Sequence, residues 1–132
     1  MPKVHKTDAE WREQLSEEEY RVLRGKGTEV PFTGKFNQNK AAGMYTCAAC
    51  GATLFSSDTK FDSGSGWPSF YDAVAGSVEF HQDTTHGMVR TEITCTNCGS
   101  HLGHIFDDAH DQPTGQRYCI NSVSLNFTPE DK

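Results

Sequence analysis

The strongest constraint on this fold is a short phrase written twice. TCAACGATL, residues 46–54, and TCTNCGSHL, residues 94–102, both spell T-C-x-x-C-G-x-x-L. The repeat is too short for a solenoid, and it has the form of two facing knuckles around one ion. In a C-x-x-C-G knuckle the chain doubles back so that both sulfurs point at one centre, and the glycine takes backbone angles that a Cβ resists. Two knuckles offer Cys47, Cys50, Cys95 and Cys98, a tetrahedral soft-ligand set suited to zinc that leaves no position for water. The expected role is structural. The 44 residues between the pairs exceed the spacing of common zinc ribbons, so the ion would clip together distant parts of the fold. Two reducible disulfides or four ordinary buried thiols are the competing readings, and iron fits the same cage.

The 132 residues suggest one domain, with N-terminal helices over about residues 7–27 and a β core over about 28–127. Twelve basic against eighteen acidic residues give a formal charge of −6, which argues against a surface built to neutralise phosphates. Nucleic acid is therefore not the expected partner. No apolar run approaches the roughly 20 residues that span a bilayer, and MPKVHKTDAEW does not read as a signal peptide. The expectation is a soluble cytoplasmic protein with no membrane partner. An odd cysteine count there favours metal ligation plus one working thiol over a disulfide framework.

Two capping boxes, Thr7 to Glu10 and Ser16 to Glu19, predict two short helices, the second carrying Tyr20, Val22 and Leu23 inward and stopping at Gly25 and Gly27. From VPFTGKF onward the pattern changes to short β-type runs. The candidate strands are 44–47, 52–55, 77–82, 88–94, 103–106, 116–120 and 123–127. In the last, Val123, Leu125 and Phe127 alternate and should share a face.

Cys119 is the fifth cysteine and has no C-x-x-C partner. If RYCIN is extended, Arg117, Cys119 and Asn121 emerge on one face, with Tyr118 and Ile120 on the other. A thiol is only a few per cent ionised at neutral pH, and Arg117 is a fixed charge of the sign that favours the anion. The plain reading of a lone cysteine, a small buried hydrophobe, stands beside this one. In HLGHIFDD, His101 and His104 could donate a proton and Asp107 or Asp108 could orient an imidazole, or the histidines could cap loop carbonyls. His5, His81, His86 and His110 belong to no constellation and read as surface residues. Trp67, between a glycine and a proline, is either a core plug or a platform for an apolar ligand.

Together, TCAACG, SGSGWPSF, TCTNCG, HLGHIFDD and RYCINSVSL resemble the B-type methionine sulfoxide reductases over about residues 20–127. The resemblance implies a mainly β fold of two small antiparallel sheets with short N-terminal helices, and reduction of the R epimer of methionine sulfoxide in proteins. It implies a structural zinc on Cys47, Cys50, Cys95 and Cys98, and Cys119 as nucleophile. Trp67 would wall the substrate methyl group, His101 and His104 would line the oxygen side with His104 the favoured acid, and Asp108, Arg117 and Asn121 would complete the polar shell. Many members carry a second redox cysteine where this chain has Ser65. That departure implies a one-cysteine cycle, regenerated by thioredoxin or another external thiol, in a monomer. The rival reading is a zinc-stabilised module that binds a ligand or peptide without catalysis.

Overall fold

In the computed structural model the described residues are 7–25, 27, 36, 41–61, 66–84, 89–109 and 112–129; Ser65, Met88, His5, His86 and His110 lie outside them. Both capping boxes form. The Thr7 hydroxyl accepts from Glu10 N at 3.2 Å while the Glu10 carboxylate accepts from Thr7 N at 2.9 Å, opening α1 (Asp8–Gln14). Ser16 and Glu19 repeat the exchange at 3.1 and 2.9 Å to open α2 (Glu17–Leu23). Trp11, Val22 and Leu23 are buried and Tyr20 packs against the core, as the amphipathic pattern requires.

The rest is antiparallel sheet. A three-stranded sheet has the order β2 (Thr53–Ser56), β1 (Gly43–Cys47), β9 (Leu125–Pro129). A six-stranded sheet has the order β3 (Lys60–Phe61), β4 (Ser69–Phe70), β8 (Arg117–Ile120), β7 (His101–Phe106), β6 (Arg90–Cys95), β5 (Val78–Asp83). Aromatic rings join the two sheets. Phe55 stacks on Phe70 at 4.4 Å between centroids, and Tyr45 meets Phe70 edge-on at 5.1 Å. Two sequence expectations are corrected. Ser122–Ser124 form a 3₁₀ turn, so Val123 does not join Leu125 and Phe127 in β9. The two-residue strands β3 and β4 carry no period-2 signal and were not anticipated. Among the described residues no helix is long and apolar enough to cross a membrane.

The written repeat is also a repeat in space. Each copy is a hairpin with the knuckle at its tip. Gly51 N donates to Cys47 O at 2.8 Å and Cys47 N to Ala52 O at 2.8 Å; Gly99 N donates to Cys95 O at 2.7 Å and Cys95 N to Ser100 O at 2.9 Å. Gly51 and Gly99 have φ of +81° and +77°, the region a Cβ disfavours. The shared leucine has a job as well. Tyr45 pairs with Phe55 but Thr46 with Thr53, and Ile93 pairs with Gly103 but Thr94 with His101, so Leu54 and Leu102 are the extra residues of equivalent β-bulges. Both leucines are fully buried. The helices sit on the knuckles: Gln14 donates to Ala49 O, and Arg24 donates to Cys98 O at 3.1 Å and to the Ser100 hydroxyl at 3.2 Å.

Candidate active site

The four knuckle thiols converge. All four sulfurs lie within 4.8 Å of one another, with Cys47 to Cys98 at 3.7 Å and Cys50 to Cys95 at 3.6 Å, and none is in a disulfide. A tetrahedral ion with Zn–S bonds of about 2.3 Å requires S···S edges of about 3.8 Å, so the donor set fits such an ion. Without one, the thiols must share protons. Cys47 is pushed far up by donating to Cys50, then to Cys95 and Cys98, whereas Cys98 is pulled down by accepting from Cys47 and Cys95. Only a bound cation lets all four ionise together.

The fifth thiol stands apart, on the six-stranded sheet. Directly opposed residues in an antiparallel sheet share a face. The register sets His81, Glu92, His104, Cys119 and Ser69 in one row across β5, β6, β7, β8 and β4. The neighbouring row brings Asp83 opposite Arg90 and Phe106 opposite Arg117. Tyr118 and Phe70 turn the other way, into the aromatic core. Cys119 is half-buried and lines a cleft of about 170 Å³ with Trp67, His104, Phe106, Arg117 and Asn121. Trp67 is thus a half-buried wall of the cleft.

Each polar wall is held by a partner. Asp108 grips Arg117 with two hydrogen bonds of 3.0 Å, and the guanidinium lies 4.5 Å over the Phe106 ring. Arg117 is more basic than usual, first because Asp108 accepts from it and, against the opposing effect of burial, also because negative charge on Cys119 lies close and accepts from it. Asn121 is buried and donates to Leu102 O at 3.1 Å, which fixes its amide. The His104 Nε2 meets the Asp83 carboxylate at 2.7 Å, and His101 Nδ1 meets the Glu92 carboxylate at 2.8 Å. The imidazoles therefore take their carboxylates from β5 and β6. Asp108 serves Arg117, and Asp107 is exposed.

Three spaces along an ordinary strand would put His101 and His104 on opposite faces. The bulge at Leu102 removes one step and returns them to the same face, with ring centroids 5.4 Å apart. Only His104 lines the cleft; His101 is 3% exposed and borders a separate recess. Asp83, Arg90, Glu92 and Phe106 are members of the site that the sequence reading did not single out. Glu92 alternates with Thr91 and Ile93 as a solvated residue would, and only the cross-strand register reveals that it is buried.

A thiol beside a guanidinium and paired across strands with an imidazole, in an aromatic-walled cleft, fits the class of thiol-based oxidoreductases. Residues 15–129 match the SelR domain family. The chain is 62% identical over 127 residues to the peptide methionine sulfoxide reductase MsrB of Thiobacillus denitrificans, covering 96% of each chain. It is 58% identical over 130 residues to the MsrB of Methanosarcina mazei, covering 98% of this chain and 92% of that one. The MsrB of Leifsonia xyli is equally similar, at 58% over 130 residues, with 98% and 94% covered. The protein belongs to the SelR family, the family of these B-type methionine sulfoxide reductases.

Proposed function

We propose that the chain reduces methionine (R)-sulfoxide in proteins to methionine, with Cys119 as nucleophile. The observation that carries this reading is the cross-strand pairing of Cys119 with His104 inside a cleft shared with Arg117 and Trp67. At about 30 Å³ per water, the cleft holds roughly five or six waters, which suits a methyl sulfoxide end. Trp67 and Phe106 offer apolar walls to the methyl group, and Arg117 favours the thiolate. A sulfoxide sulfur becomes electrophilic as its oxygen gains a proton. His104, held by Asp83, is placed to give that proton, and Asn121 to position the oxygen. Cys119 attacks sulfur, the oxygen passes to Cys119, and methionine leaves behind a sulfenic acid.

The other four cysteines would hold zinc, which in a closed four-sulfur site supplies rigidity alone. With four of the five cysteines committed to the metal, none is left to pair with Cys119, so an external dithiol such as thioredoxin, or a monothiol, attacks the sulfenic acid directly. The same reading places the protein in the cytoplasm as a single-domain monomer. A binding module on this scaffold would gain nothing from setting a thiol against an imidazole. The test is loss of R-sulfoxide with dithiothreitol for the native chain and Cys119→Ser: activity in the first alone supports the assignment, and equal rates sink it. Mass measurement after substrate oxidation without reductant should find one added oxygen, trapped at Cys119; loss of two hydrogens would refute the one-cysteine cycle.

A further inference from the structure

Every turnover at Cys119 takes up two protons. In the first half, Cys119–S⁻, R₂S=O and H⁺ give Cys119–S–OH and R₂S. In the second, a thiolate of the reductant attacks the sulfenic sulfur and its oxygen leaves as water with another H⁺; a second thiolate then releases Cys119–S⁻ and a disulfide. A substrate seated in the cleft covers the side of His104 that faces solvent there. A second recess, of about 500 Å³, shares no lining residue with the cleft. Its rim carries His81 and Glu79 of β5, with side chains 51% and 41% exposed, and Arg24 at the C-terminal cap of α2. Its most deeply buried polar members are Glu92 and His101, in contact at 2.8 Å with side chains 4% and 3% exposed.

That pair is buried and joined by a hydrogen bond, so a proton can pass between its two groups without an unpaired charge being left in the interior. It also touches the acid. Glu92 lies directly opposite His104 in the register, and the His101 ring stands edge-on to the His104 ring at 5.4 Å, within reach of a transfer through one water. Asp83 engages Nε2 of His104, so Nδ1 is the nitrogen that gives its proton to the substrate oxygen and is then reloaded. We infer that the Glu92–His101 pair feeds protons to His104 from the second recess, so that protons and substrate reach Cys119 by different routes. Glu92 and His101 are then positioning residues that act through His104. Among the described residues, the charged and titratable groups facing them include His81 and Glu79 on β5, Asp83 at the end of that strand, Arg90 on β6, which meets the same Asp83 oxygen at 3.5 Å, Arg24 at the C-terminal cap of α2 and His104 on β7.

This inference rests on His104 as the acid, and the experiment separates the two. Full-length, metal-loaded protein is assayed with R-sulfoxide and saturating dithiothreitol, at fixed pH and ionic strength, over rising imidazole concentration. Glu92→Gln should lower kcat on the order of tenfold, leave KM and the rate of Cys119 alkylation unchanged, and recover with imidazole; Glu92→Asp should lie between it and wild type. Wild-type kcat in Glu92→Gln overturns the inference. So does a loss that imidazole does not restore or that alkylation shares, since either marks a merely structural role. If Glu92→Gln does not fold, the paired rim substitutions Glu79→Gln and His81→Gln decide: an imidazole-restored fall supports the route, and no change overturns it. Full activity in His104→Gln would sink the assignment of the acid. Loss in His104→Gln with wild-type rates in both other variants would sink only the feed.

Discussion

Gly103 offers the sharpest test of how the site is held. It lies on β7 opposite Ile120 and beside Cys119, and a Cβ built there would run into the Cys119 carbonyl oxygen, with Cys119 C and Ile120 Cα each at 3.0 Å. To accept Gly103→Ala, β8 must part from β7 by more than about 1 Å, at the residue that carries the thiol. Overpacking of this kind costs about 1–3 kcal/mol. For a chain of this length that is a fall in Tm of roughly 3–15 °C. The displacement also separates Cys119 from His104, and a misplacement of about 1 Å can cost on the order of 10²-fold in rate. The assay is kcat for R-sulfoxide reduction below the variant's Tm, with near-ultraviolet circular dichroism confirming that the chain is folded. A folded Gly103→Ala protein with kcat within about twofold of wild type would refute the claim that close β7–β8 contact sets the reactive geometry.

Two further outcomes are expected. Removing the charge with Arg117→Met disfavours the thiolate, so the pH profile of Cys119 alkylation should move upward and the rate at pH 7 should fall roughly tenfold; an unmoved profile would show that Arg117 serves substrate binding alone. Arg24→Ala removes the hydrogen bonds to Cys98 O and to the Ser100 hydroxyl, which lies 3.1 Å from the Cys98 sulfur, and should speed metal loss to a chromogenic chelator roughly tenfold; unchanged release would mean that α2 does not guard the cage.

The helices and the cage were legible because their signals are local: a hydroxyl three residues before a carboxylate, and a cysteine pair followed by glycine, act within one turn of chain. So was the shared face of Arg117, Cys119 and Asn121, which needs only strand alternation. What escaped depends on pairing between distant segments. Nothing in RTEITC tells that Glu92 is buried, because the reason lies across the ladder at His104 and His101. The joint facing of His101 and His104 hides in a bulge at Leu102, visible only as a register shift. Ser69–Phe70 pairs with β8 over two residues, too few for any periodicity.

The row from His81 through Glu92, His104 and Cys119 to Ser69 draws one member from each of five segments. Slippage of any one strand by a single position would swing its member to the opposite face. Turnover at the proposed site is therefore a checksum on that part of the ladder: a chain that has collapsed but not aligned is chemically silent, and the first methionine released certifies that the strands carrying Cys119 and His104 have met.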